Sequence, residues 1–154
     1  CNVKCIKFDV LDSDIEFKEN YSSLYYFASP KIFLGNKDFF SEDIFVNFSK
    51  YYLTSFVRIV QVLHKNGLNS VFYPSSTAID ELNNGMWEYS SAKVAGEHIC
   101  DLLEKRYLNL SIYKPQFPRT ATDQTLTVMP SKSFMPEEFL VKFLNNFNKV
   151  KAKG

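Results

Sequence analysis

Tyr89 and Lys93 stand four residues apart in the run Tyr89-Ser-Ser-Ala-Lys93, and Ser76 lies thirteen residues before the tyrosine. On a helix, positions i and i+4 share a face, so the phenol and the ammonium would sit one turn apart. A nearby ammonium favours the phenolate and lowers a tyrosine's pKa. Tyr89 could then exchange a proton with a substrate oxygen closer to neutral pH. The Ser76 hydroxyl, at the end of the preceding strand, could hydrogen-bond the same oxygen. A Tyr-x-x-x-Lys pair by itself says little in a chain with 9 Tyr. The same spacing describes an exposed tyrosine with a solvated lysine one turn later. The setting adds the weight. The pair opens a helix, the doublet Ser75-Ser76 ends a strand, and the small residues Ala92, Ala95 and Gly96 flank Lys93. A helix packed closely against a ligand or a neighbouring helix needs small residues there.

Periodicity predicts the elements that must position these side chains. Val3 to Phe8 alternates apolar and polar residues and reads as a strand, with Asp9 at its carboxyl end. Leu24 to Ala28 reads as a short buried strand stopped by Pro30. From Ser41 to Lys65, Phe45, Phe48, Tyr52, Phe56, Ile59, Val60 and Leu63 recur at helical spacing. Ser41 is the expected N-cap, Glu42 and Asp43 suit the first turn, and Asn66-Gly67 is the stop. Asn69 to Tyr73 is the next strand, ended by Pro74, and Asn83 to Gly85 marks a turn. A second long helix is expected from Trp87 to Arg106, with Val94, Ile99, Leu102 and Leu103 as apolar positions. A strand then runs from Leu108 to Tyr113. A loop containing Pro115, Pro118 and Pro130 leads to a last helix opened by Pro136, with Phe139, Phe143, Leu144 and Phe147 on its apolar face.

The order β, β, α, β, α, β, α predicts an α/β fold. It has a parallel sheet with helices on both faces, in three layers. Ligands of such sheets bind at the carboxyl ends of the strands. Asp9, Ala28, Ser29, Ser75, Ser76 and Pro115 fall at those ends.

Bulk composition excludes several classes of function. A length of 154 residues fits one domain, and 45% apolar residues argue against disorder. With 18 Lys plus Arg against 17 Asp plus Glu, no broad field draws the chain to nucleic acid or an anionic membrane. The basic tail from Lys149 to Gly154 reads as a solvated end. No apolar run reaches membrane-span length, and no signal peptide opens the sequence. Cys1, Cys5 and Cys100 make an odd count without zinc spacing, which suits a reducing, cytoplasmic location. His64 and His98 lack ligand company, so no metal site is expected.

The stretches from Ser70 to Thr77 and from Tyr89 to Glu97 resemble short-chain dehydrogenases/reductases, especially their extended, epimerase-like branch. The resemblance runs from the Asp9 strand to the loop near Thr122. It implies that Tyr89 is the proton donor or acceptor and that Ser76 positions the carbonyl or alcohol. Lys93 would lower the Tyr89 pKa and bind the nicotinamide ribose. Asn47, 29 residues before Ser76, matches the family asparagine that supports the lysine through a water. Asp9 resembles the family's adenine-contacting aspartate, and Ala28 and Ser29 stand where that family lines the cofactor. Pro115 opens the segment lining the nicotinamide, with Gln116 where the family has glycine. Arg119, Thr120, Thr122 and Asp123 read chiefly as a structured polar loop, with contact to substrate or cofactor phosphate as the other reading.

The resemblance implies NAD or NADP as cofactor, yet a glycine-rich phosphate turn is missing. Gly occurs only at 35, 67, 85, 96 and 154, and no spacing matches GxGxxG. The chain reads as starting at the family's third strand, foremost as the C-terminal part of a longer, N-terminally truncated Rossmann domain, with a processed or partly ordered fragment and a domain that has lost cofactor binding as the competing readings. Alone it is expected to bind NAD(P) weakly or not at all. Three functions follow from the resemblance. One is an NAD(P)-dependent oxidoreductase acting on a carbonyl or alcohol. Another is a nucleotide-sugar epimerase or dehydratase. The third is a non-catalytic assembly module that has lost the cofactor. The two long helices would form a homodimer interface.

Overall fold

Alternation along the segment 70–73 sends Val71 and Tyr73 to one side of a sheet and Phe72 to the other, and helices cover both sides. A computed structural model of the chain describes residues 5–14, 16–17, 19–32, 38–81, 85–118 and 136–151. Its elements are β1 (Ser23–Tyr25), α1 (Glu42–Ser49), a π-helical turn (Lys50–Ser55) and α2 (Phe56–Lys65). They continue as β2 (Ser70–Phe72), β3 (Ser75–Ser76), α3 (Ala78–Glu81) and α4 (Trp87–Arg106). The last are β4 (Ser111–Tyr113), β5 (Gln116–Phe117) and α5 (Pro136–Lys151).

The sheet is parallel, in the order β1-β2-β4, with Val71 opposite both Leu24 and Ile112. The short pair β3 and β5 is parallel as well, with Ser75 opposite Gln116. The two pairings are one ladder interrupted by prolines. Tyr73 N donates to Tyr113 O (2.9 Å), Ser75 N to Pro115 O (2.8 Å) and Thr77 N to Phe117 O (2.9 Å). Pro74 and Pro115 supply no N–H of their own, so the strands reach beyond Tyr73 without regular pairing at the prolines. Sequence reading had Pro74 ending the strand and a plain loop after Tyr113.

On one face, Phe56, Ile59, Val60 and Leu63 of α2 and Cys100 and Leu103 of α4 pack on Tyr26, Val71, Tyr73 and Ile112. On the other, Phe147 of α5 meets Phe72 and Tyr25 at ring separations of 5.6 and 5.2 Å. The three expected layers are therefore present. The two long helices also form where expected. Ser41 Oγ accepts from Ile44 N at 3.4 Å at the first turn of α1. At the far end of α2, Gly67 adopts φ 95°, a left-handed conformation that suits glycine.

Two strand expectations need correction. Residues 5–8 of the expected Val3–Phe8 strand join no ladder, and Ile6 and Phe8 are exposed. Alternation makes a one-sided ribbon, but a strand also needs a neighbour to take its backbone bonds. Here the chain turns instead. Asp9 Oδ1 accepts from Leu11 N at 2.9 Å, and Asp9 O accepts from Asp12 N at 3.1 Å. The strand expected from Leu108 begins only at Ser111, because Tyr107 to Leu110 forms a turn closed by Leu110 N on Tyr107 O. Leu108 is 92% exposed in that turn.

Candidate active site

The carboxyl end of β2, the short β3 and the first turns of α4 bring Ser76, Tyr89 and Lys93 together. Lys93 is the most constrained of them. Its Nζ donates to Pro74 O at 2.9 Å. It also lies 3.9 Å from the centre of the Tyr52 ring, with the Tyr73 and Tyr89 rings at 5.3 and 5.9 Å. Pro74 interrupts the regular pairing without ending it, and its carbonyl anchors the ammonium. Burial pushes the Lys93 pKa down to about 7, against Cys100 and Glu97, which raise it.

Tyr89 is buried, its ring edge-on to Phe48 at 5.4 Å and to Tyr52 at 5.9 Å. Burial raises its pKa, and the Ser76 side chain, as a hydrogen-bond partner, opposes that rise. The expected lowering of the Tyr89 pKa by Lys93 is thus not seen. Desolvation acts on both groups and favours the neutral form of each. Ser76 Oγ also accepts from Ala78 N at 3.2 Å, which starts α3, and Ser90 Oγ ties α3 to α4 through Ala78 O at 2.9 Å. Nearby, Ser75 Oγ is buried without a hydrogen-bond partner among the described residues.

Of the expected cofactor residues, Asp9, Ala28 and Ser29 line one cleft of about 550 Å³, together with Phe8, Val10 and Tyr51. Pro115 is buried, its carbonyl on Ser75 N. Asn47 lies apart from the set. Ile44, Phe45 and Phe48 turn inward, which leaves Asn47 exposed on the outer side of α1. Arg119, Thr120, Thr122 and Asp123 fall outside the described residues.

Sequence reading missed Tyr52, Tyr73 and Pro74 as parts of the site. Tyr52 belongs to the π-helical turn, a feature that recurs at functional sites. Two carbonyls of that turn take tyrosine hydroxyls: Tyr26 Oη donates to Tyr51 O at 2.7 Å and Tyr73 Oη to Tyr52 O at 3.2 Å. The Tyr52 hydroxyl in turn bonds Ser29 Oγ at 2.6 Å. The available signal was Tyr52 on the inner face of the first long helix and Tyr73-Pro74 at the end of the central strand. Among the described residues, no group of three His, Cys, Asp or Glu side chains could hold a metal ion.

The architecture matches solved short-chain dehydrogenases. One, from Salmonella enterica serovar Typhi, superposes with a TM-score of 0.65 at 17% identity, covering 81% of this chain and 56% of that one. An Escherichia coli oxidoreductase gives a TM-score of 0.68 at 14% identity, covering 81% and 55%. A short-chain dehydrogenase from Shigella flexneri, complexed with NADP, gives 0.68 at 16% identity, covering 81% and 56%. The fold is therefore the Rossmann-type α/β fold of the short-chain dehydrogenases, and the chain spans a little over half the length of those structures. The sequence matches no protein-family model and no curated protein.

Proposed function

We propose that this chain forms the catalytic half of an NAD(P)-dependent oxidoreductase acting on a carbonyl or alcohol. The observation that carries the reading is the meeting of Ser76 and Tyr89 beside a buried Lys93 at the carboxyl ends of parallel strands. The short-chain-dehydrogenase fold and the Asp9–Ser29 cleft support it. When bound, the nicotinamide supplies or accepts the hydride. The Tyr89 hydroxyl gives a proton to the substrate oxygen during reduction and takes it back during oxidation. Ser76 hydrogen-bonds that oxygen and holds it in line. Lys93, its ammonium 5.9 Å from the Tyr89 ring centre, supplies positive charge beside the phenolate left by that transfer.

The residues present fit the nucleoside ends of a dinucleotide. Asp9 and Ser29 offer a carboxylate and a hydroxyl in the cleft, and Lys93 carries three N–H donors, one of them on Pro74 O. The phosphate cradle has no counterpart among the glycines of this sequence. The reading therefore applies to a protein that contains this chain, with NAD and NADP both open and a nucleotide-sugar epimerase or dehydratase as the related chemistry. The test is carbonyl reduction with NAD(P)H by that protein. Tyr89→Phe keeps the buried ring and should lower turnover about 10²- to 10⁴-fold, the range for a general acid. Unchanged turnover would reject Tyr89 as the proton donor.

A non-catalytic assembly module is the second reading, favoured by Lys93 being engaged with Pro74 and tyrosine rings of its own chain. Absence of nicotinamide binding in calorimetry on the longer protein would favour it. For either reading, a second copy is the partner we assign to the outer faces of α1 and α4, and the free thiols Cys5 and Cys100 suit a reducing, cytoplasmic setting. No described helix is long and apolar enough to cross a membrane.

A further inference from the structure

Tyr52 touches both halves of the site. Its ring lies under the Lys93 ammonium, 3.9 Å from centroid to Nζ, the shortest of three tyrosine contacts to that group. Its hydroxyl reaches the other way, 2.6 Å from Ser29 Oγ, and Ser29 lines the cleft shared with Asp9 and Ala28. Ser29 Oγ also donates to Pro30 O at 3.0 Å, so the Tyr52 hydroxyl is left to donate to Ser29. The ring is 2% exposed, stacked on Phe48 at 5.9 Å and edge-on to Tyr89 at 5.9 Å. Its backbone carbonyl is fixed by the Tyr73 hydroxyl. A side chain held at the backbone, on its ring faces and at its hydroxyl has little freedom, and a cation seated on it inherits that order.

We propose that Tyr52 is the positioning residue for Lys93: its ring seats the ammonium, and its Ser29-anchored hydroxyl links the Asp9–Ser29 cleft to the Ser76–Tyr89 pair. The link rests on the oxidoreductase reading for its use in catalysis, and the seat is a contact within this chain. Loss of the Ser29 bond, by substitution or by a ligand taking the serine hydroxyl, loosens the ring and so the lysine. This makes the lysine responsive to the cleft without direct contact between them.

The experiment is NMR on the ligand-free 154-residue chain with lysine labelled at Cε. Ring currents fall steeply with distance, so Tyr52 dominates the shift of the Lys93 ε-methylene. In the wild type that signal is expected upfield of the other lysines, with a nuclear Overhauser contact to the Tyr52 ring protons. Tyr52→Leu should lose most of the upfield shift. Tyr52→Phe and Ser29→Ala keep the ring but remove the anchor, and should give intermediate shifts. A Lys93 signal in Tyr52→Leu equal to wild type would overturn the seat, as would a Phe variant shifted as far as Leu. A wild-type signal in Ser29→Ala would overturn the link. Should Tyr52→Leu fail to fold, the wild-type Overhauser contact decides the seat by its presence or absence. None of these readouts needs cofactor or turnover, so they stand apart from the Tyr89→Phe test of the oxidoreductase reading.

Discussion

Gly96 is pressed against the phenol end of Tyr73: a Cβ built at the glycine would overlap the Tyr73 hydroxyl and come within 2.9 Å of Cζ. The ring has no free space to swing into, because it is fully buried and packs on Phe56 at 4.6 Å. Alanine in a helix interior normally gains up to about 1 kcal/mol over glycine. At this site overpacking reverses the sign. Gly96→Ala should destabilise the chain by about 1–3 kcal/mol, read by urea unfolding, and should displace Tyr73 from Tyr52 O. Equal or greater stability in the alanine variant would show that Tyr73 can give way.

Why Gly96 matters was legible only in outline. The sequence suggests that small residues beside Lys93 serve close packing, but not that Tyr73 fills the space. The long helices were legible because apolar spacing and caps such as Ser41 and Gly67 are local signals. The segment 3–8 misled because its alternation is local too, whereas a strand depends on a partner elsewhere in the chain. The π-helical turn gives no periodic signature over six residues, so Tyr52 read as one more core position. Ser76, Tyr89 and Lys93 were legible as a motif. The Pro74 carbonyl and the tyrosine rings that hold Lys93 were not, because nothing in spacing reports where a lysine side chain ends.

The buried lysine makes stability depend on pH in a defined window. Folding lowers the Lys93 pKa from 10.5 to about 7, by burial first. Between those values the unfolded chain binds the extra proton, so stability should rise with pH above 7 and be lost again as pH falls towards 7. Cys100 acts in the opposite sense, since burial pushes its thiol from 9.0 up to about 12. Its contribution is complete below pH 9 and is lost as pH rises, and the buried tyrosines follow the same sign at higher pH. The lysine effect is therefore cleanest between pH 7 and 9. Over that range the wild type should gain on the order of 2 kcal/mol, measured by denaturant midpoints. Lys93→Met should flatten the profile. A wild-type profile already flat there would mean that Lys93 titrates as a solvated lysine.

Tyr26 and Tyr73 hold the π-helical turn by hydroxyl bonds to the adjacent carbonyls of Tyr51 and Tyr52. Replacing either with phenylalanine keeps the ring and removes one donor from a carbonyl. Each substitution should cost about 0.5–1.5 kcal/mol, the net range for one hydrogen bond. The two carbonyls are neighbours in one turn, so the double variant should depart from the sum of the singles. Strict additivity in unfolding measurements would mean that the hydroxyls act independently and do not stabilise the turn as a unit.

The outer side of α4 carries Trp87, Val94 and Leu102, seven and eight residues apart and all exposed, and Val46 is exposed on α1. A second copy brought onto this face would bury the stripe in a two-fold contact, where each residue meets its own mate or a near neighbour. Light scattering at micromolar concentration should then report a dimer for the wild type. Val94→Glu places one carboxylate from each copy in the contact, and like charges there oppose association. The variant should be monomeric with unchanged far-UV circular dichroism, because Val94 is 49% exposed within the chain and contributes little to its core. A dimer that survives Val94→Glu would move the interface elsewhere on the molecule. A wild type that stays monomeric would leave these apolar side chains as surface residues of the single chain.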